Sequence, residues 1–143
     1  MKTTVFHRPY PLWIKIILAV YMIAFAAATW NHAADIMTAG LFPYDKFWDV
    51  PCWMNVYWTS LTILDPLAIM VLLFYLRPGL LIYFIIMFSD VAINVYANYT
   101  FWNIPLLEHF FLLNQVFFLL FLCATAPFIL KHPASTGEYR QNE

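Results

Sequence analysis

Charge is what this 143-residue chain has least of: Asp, Glu, Lys and Arg together make up 10% of it. A water-soluble domain carries about 25%. A chain this poor in charge cannot cover a surface that faces water, so it is expected to sit in a lipid bilayer. A hydrophobic share of 64%, an aromatic share of 20% and a mean hydropathy of +0.72 agree. Lys plus Arg number 7 against 8 for Asp plus Glu, for a net charge of −1. No basic tail or patch is available to neutralise a nucleic-acid backbone, which excludes nucleic acid as a partner. Cysteine is as scarce: Cys52 and Cys123 are too few for a disulfide framework or a thiolate zinc site. Their positions, outer side and deep in the last helix, also predict no disulfide between them. There is no Ser-His-Asp order, no phosphate-binding loop and no pair of haem-ligating residues across a bilayer, so hydrolase, nucleotide and respiratory-haem chemistry lack a basis. No cofactor is expected.

What the chain does have is long apolar runs. A spanning helix needs about 20 mainly apolar residues. Four segments provide that, at roughly 12–31, 53–76, 79–102 and 106–130. Lys15 is the only charge in the first, which can continue as a helix through Asp35 to Ala39. The expected fold class is therefore an all-α integral membrane protein, a four-transmembrane-helix bundle forming one domain over 1–131. An outer loop at 32–52 and a short polar tail at 132–143 complete it. The first span is expected to be retained, because Trp30-Asn31-His32 replaces the small-residue cleavage site of a signal peptide. Arg77-Pro78 and Asn103-Ile104-Pro105 read as tight turns that force antiparallel hairpins. Lys2, Arg8, Lys15, Arg77, Lys131 and Arg140, six of the seven basic residues, then share one side, with Lys46 alone on the other. The excess of positive charge places both termini in the cytoplasm. Asp35, Asp45, Asp49 and Glu108 gather on the opposite face with Trp30, Trp48, Trp53 and Trp102, which form an outer aromatic belt.

An ionisable residue inside a span is costly unless paired, solvated or neutralised, and so points to function. Asp65 lies 12 residues after Trp53 and Asp90 lies 12 residues before Trp102, each ~18 Å from its interface at ~1.5 Å per residue. At matching depth on neighbouring helices the two carboxylates can share a proton or a cation, which makes them the candidate catalytic pair. Asp90, Asn94 and Asn98 follow one another at four-residue spacing on one helix face, which Tyr83 and Met87 extend inward. Asn114 is expected at the depth of Asn94, with Glu108 and His109 above it and Asn31, His32 and Asp35 at the same end. Pro66 frees a backbone carbonyl one turn earlier, which Thr59, Ser60 and Thr62 are placed to satisfy. The result is a polar funnel, open outward, floored by Asp65 and Asp90. The asparagines also fit a plainer role as hydrogen-bond glue between helices, Asp65 that of a capped carboxyl at a proline kink, and the outer acids and histidines that of solvated residues. His32, His109, Asp35, Asp49 and Glu108 are nitrogen and oxygen donors on one side. No His-x-x-x-His or Cys-x-x-Cys spacing accompanies them, so no metal is expected.

The layout resembles the EXPERA group of emopamil-binding sterol isomerases and sigma-two receptors. Helix one ends in an acid, in His32-Ala33-Ala34-Asp35-Ile36; an outer loop carries a second acid beside a proline, in Asp49-Val50-Pro51. Helix two opens with aromatics and carries Asp65, and a tight turn leads to the last two helices. Members of that group commonly hold Glu and His within the pocket, whereas here the helix-two acid is Asp and the histidines sit at the mouth. The resemblance implies an intramembrane pocket for a sterol-like or cationic amphipathic ligand, with Asp65 and Asp35 as acid or counter-ion.

The expected function is thus binding of a lipid-like or amphipathic small molecule, with isomerisation by proton transfer as its chemistry. Trp58, Tyr96 and Trp102 would supply cation–π support. Proton- or cation-coupled transport by a homodimer and an accessory role in a larger membrane complex are the alternatives.

Overall fold

A long apolar run has to satisfy its own backbone, and a helix does so without help from water. The computed structural model describes residues 4–133, apart from the side chains of Phe47 and Trp48, and among them every regular element is helical. After a short 3₁₀ turn at Val5–His7 come α1 (Leu12–Ala39), α2 (Tyr44–Trp48), α3 (Cys52–Phe74) and α4 (Leu76–Ala97). A π-helical turn at Asn98–Trp102 extends α4, and α5 (Phe110–Lys131) closes the chain. Of these, α1, α3, α4 with its extension, and α5 are long and apolar enough to cross a membrane. Lys2, Arg140, the Trp48 side chain and nearly all of the expected tail lie outside the described residues.

Differences from the sequence expectation fall at the helix ends, where caps decide. α1 takes the continuation through Asp35 to Ala39 that the sequence allowed, about 42 Å for its 28 residues, and so occupies the first part of the expected 32–52 loop. It stops at Gly40, whose φ of 91° suits glycine. The Gly40 N–H donates to Ile36 O at 2.8 Å, and Lys46 Nζ donates to Ala39 O at 2.5 Å, a cation at the negative end of the helix. Between α3 and α4 the chain reverses at Tyr75, and Pro78 sits in the first turn of α4. A missing N–H is harmless there, because those groups have no partner within the helix. Asn98, by contrast, opens the α4–α5 connection: its Nδ2 donates to Ile104 O at 2.9 Å and its Oδ1 accepts from Ile104 N at 3.2 Å. The next helix begins at Phe110 rather than near 106, with the His109 side chain capping it.

Pro66 is accommodated inside a continuous α3. Two of the hydroxyls expected to cover the freed carbonyl bond elsewhere, Ser60 donating to Tyr57 O at 2.6 Å and Thr59 to Leu41 O at 3.3 Å, and Thr62 Oγ1 is buried without a partner among the described residues.

α3 packs against both α1 and α4, and α4 packs against α5. The seam between α1 and α5 is joined near the end that carries the termini. There Tyr21 and Thr125 share a hydroxyl hydrogen bond, Tyr21 meets Phe118 and Phe121 edge-on at 5.9 and 5.7 Å, and Tyr10 meets His132 at 5.8 Å. The uppermost ring contact of this layer is Phe25 with Phe118 at 6.2 Å. Trp30 and Trp53 point outward, 67% and 52% exposed. Trp102 turns inward instead and packs on Trp58.

Candidate ligand-binding cavity

Above the Phe25–Phe118 contact the bundle holds an open cavity of about 830 Å³, lined by α1, α3, α4, α5 and Tyr44 of α2. Ligand pockets span roughly 300–1,000 Å³. Space is left because α1 presents Ala24, Ala27, Ala28 and Ala34 to it. Phe25 forms part of its lower wall and is stacked on fully buried Tyr83 with ring centroids 3.8 Å apart.

Asp65 from α3 and Asp90 from α4 both line this cavity, 2% and 6% exposed, and are close enough to interact electrostatically. Their settings differ. Asp90 Oδ1 accepts from Asn94 Nδ2 at 2.8 Å and its Oδ2 accepts from Gln115 Nε2 at 2.8 Å. Asn94 also donates to the Asp90 backbone carbonyl at 2.8 Å, which fixes its amide. Asp65 receives no hydrogen bond from any described residue. One carboxyl is therefore held by amides from two helices, while the other is left facing the cavity.

Toward the loop end, aromatic rings form an arc. Tyr44 packs edge-on against Trp58 at 5.1 Å, Trp58 stacks on Trp102 at 6.1 Å, and Trp102 meets His109 at 5.6 Å. All four line the cavity, with His32, Asp35 and Glu108 beside them. The Tyr44 hydroxyl donates to Asp35 Oδ2 at 3.1 Å and lies 2.7 Å from His32 Nδ1. With its own proton committed to Asp35, Tyr44 accepts from His32 Nδ1–H. Its backbone N–H donates to Asn55 Oδ1 at 3.2 Å, which pins α2 to α3. Burial, followed by the neighbouring charges of Asp35 and Asp90, pushes the Tyr44 phenol well above the ordinary tyrosine range, so it stays protonated.

The expected site residues thus separate. Asp65, Asp90, Asn94, Asn114, Trp58, Trp102, Asp35, His32, Glu108 and His109 line one cavity. Asn98 does not: its side chain is consumed by the Ile104 backbone. Tyr96 does not either; it is 52% exposed and packs against Trp53 and Phe101 on the outer surface of the bundle. The Asn98 N–H still donates to Asn94 O, so the helical spacing holds as far as Asn98; what takes its amide out of the cavity is the pairing with Ile104. Asp49 lies off the cavity, and among the described residues no three His, Cys, Asp or Glu side chains come together as a metal would need. Gln115 and Tyr44 are the polar cavity-lining positions that sequence reading missed. Gln115 follows Asn114 directly, and only the rotation of α5 about its axis decides which of them reaches Asp90. Comparison of the chain with protein-family models, with curated proteins and with solved structures finds no match.

Proposed function

We propose that this chain is a multi-pass membrane protein, both termini cytoplasmic, whose cavity binds a lipid-like, sterol-like or cationic amphipathic molecule. Asp65 and Asp90 are then the acids that isomerise the ligand by proton transfer. The observation that carries the reading is an open, largely apolar cavity with Asp65 on its wall, buried from the surroundings and unmatched by any described hydrogen-bond donor. A carboxyl in that setting suits a ligand's polar or protonatable atom better than it suits structural glue. The layout likeness to the EXPERA group points the same way, since Asp35 is also on the wall. Coupled transport is less well supported, because the aromatic layer of Tyr21, Phe25, Tyr83, Phe118 and Phe121 lies across the bundle below the cavity.

The test is equilibrium binding of a fluorescent sterol and of a cationic amphiphile to the detergent-solubilised protein and to Asp65→Asn and Asp90→Asn. At least one probe is expected to bind the wild type and to lose about tenfold or more in affinity to Asp65→Asn, the equivalent of one charge-assisted hydrogen bond. Unchanged binding across all three proteins would sink the proposal.

A further inference from the structure

The uncovered part of the cavity wall lies on one side. Of the residues that line it, the exposed ones are Ala27, Asn31, Glu108, Phe110, Phe111 and Asn114, all from α1 or from α5 and the turn that leads into it. Every lining residue from α3 and α4 is buried or half-buried. The wall therefore opens between α1 and α5.

The seam between these two helices explains the opening. Rings close it as far up as Phe25 and Phe118. Ala27 lies two residues above Phe25 on α1, and Asn114 four above Phe118 on α5, ~3 and ~6 Å nearer the loop end at ~1.5 Å per residue. From that level upward α1 offers Ala27, Ala28 and Ala34, whose side chains are too short to bridge to a neighbouring helix. Phe110 and Phe111 of α5 do not fill the gap for them, since they are 68% and 69% exposed. At the loop end, by contrast, Tyr44 and Trp58 are buried, with Trp102 and His109 half-buried beside them. The opening thus faces sideways more than it faces the loops.

Both edges belong to helices long and apolar enough to cross a membrane, so a bundle set in a bilayer turns this gap toward acyl chains. Lipid tails are as apolar as the alanines and rings at the rim, and a molecule with a large apolar body is already concentrated among them. One amide stands at each edge. Asn31 on α1 and Asn114 on α5 hydrogen-bond to no described residue, and each can accompany a polar group past the apolar rim, where it would otherwise lose its partners.

We infer that the cavity exchanges its ligand with the bilayer, through an aperture between α1 and α5 above Phe25 and Phe118, with Asn31 and Asn114 as the polar contacts at its two edges. This rests on the reading of the cavity as a ligand site. Within that reading it selects a ligand that the bilayer dissolves, and it turns the outward funnel expected from the sequence toward lipid.

The experiment uses the full chain in phosphatidylcholine vesicles and the fluorescent probe, sterol or cationic amphiphile, that binds the wild type. Energy transfer from the native tryptophans follows its entry and exit after rapid mixing. A narrowed route slows entry and exit alike and leaves the equilibrium where it was. Ala27→Phe is expected to lower both rates by about tenfold with the dissociation constant within about twofold of the wild type. Ala26→Phe, one residue away and off the cavity, is expected to leave both rates as they are. A second arm does not depend on a ring at the rim. Cys52 and Cys123 are free and exposed, so both are first replaced by Ala; Asn31→Cys and Asn114→Cys are then joined across the gap by a bifunctional maleimide. Stapling should slow entry and exit by about tenfold or more relative to the same variant before stapling, and a monofunctional maleimide should slow them less. Slowed exchange in either arm with affinity kept supports the aperture. Exchange at unchanged rates in both arms, equal slowing by Ala26→Phe, or lost affinity with an unslowed exit would each overturn the inference while leaving the ligand site standing. Binding of neither probe by the wild type would overturn both.

Discussion

Two aspartates of the same chemistry are held in opposite ways. Both Asp90 oxygens accept amide N–H groups at 2.8 Å, one from Asn94 on its own helix and one from Gln115 on α5. Asp65 has no such support from any described residue, so Asp90 is tied to two helices while Asp65 is left open to the cavity. Gln115→Leu should therefore cost about 1–3 kcal/mol of stability, the penalty for stripping a donor from a buried acceptor, as read by equilibrium unfolding in mixed detergent. Tyr44 is the second residue on which the site's shape depends, since its hydroxyl links His32 to Asp35 at the mouth. Tyr44→Phe should cost a similar amount, about 1–3 kcal/mol, near neutral pH. Its pH dependence has a definite sign. The folded phenol is protonated over a wider range than the unfolded one, so the hydroxyl's contribution is fully present below pH about 10, the ordinary tyrosine value. Above it the unfolded chain gives up the proton first, and stability falls as pH rises. The stability gap between wild type and Tyr44→Phe is thus expected to be constant up to about pH 10 and to narrow beyond it.

At the scale of the helices, most of what the sequence predicted rests on one signal, and most of what it missed rests on another. Apolar length located α1, α3, α4 and α5, the four helices long and apolar enough to cross a membrane, because a helix pairs its own backbone without help from water. Helix ends are set instead by single contacts. Gly40, Lys46, Arg8 and His109 each close or satisfy an end, and such pairings join residues whose proximity no periodicity encodes. Asn98 shows the consequence: its four-residue helical spacing from Asn94 is kept, its N–H still meeting Asn94 O, but its side chain is taken by the Ile104 backbone, a contact no periodicity encodes. Asn98→Leu should destabilise the fold by about 1–3 kcal/mol through the two lost Ile104 bonds. Ligand affinity should stay within about twofold of the wild type, the reverse of the outcome for Asp65→Asn. The α3–α4 hairpin depends on a different local fact. A Cβ placed on Gly79 would sit 2.3 Å from Leu72 Cα, a clash with backbone that no rotamer relieves. Gly79→Ala should push the two helices apart and cost about 3 kcal/mol or more, with loss of the monodisperse species on size-exclusion chromatography as the measured sign.

Across the whole bundle, the cavity exists because the four long helices are not packed alike. α3 is flanked on both sides, whereas α1 and α5 meet through rings only as far up as Phe25 and Phe118. Beyond that level each lines the cavity, α1 with alanines and α5 with Phe110, Phe111, Asn114 and Gln115. Depth along a helix was readable from the sequence, which is why Asp65 and Asp90 come out together. Rotation was not, which is why Tyr96 was misplaced and Gln115 overlooked: a helix apolar on nearly every side carries no stripe to tell which face turns inward. The alanines of α1 turn this asymmetry into a test of whether the empty volume itself is functional. Ala28 lines the cavity, while Ala26, two residues earlier on the same helix, is exposed on the outside of the bundle and does not line it. Ala28→Phe should place a ring in the cavity, lower the affinity for any ligand bound there by about tenfold or more, and leave stability within ~1 kcal/mol, because an open cavity accepts added volume that a packed core would not. Ala26→Phe puts the same ring on the outer surface and should change neither quantity. Equal loss of binding in both variants would mean that α1 acts through its packing, and the cavity would lose its claim to be the site.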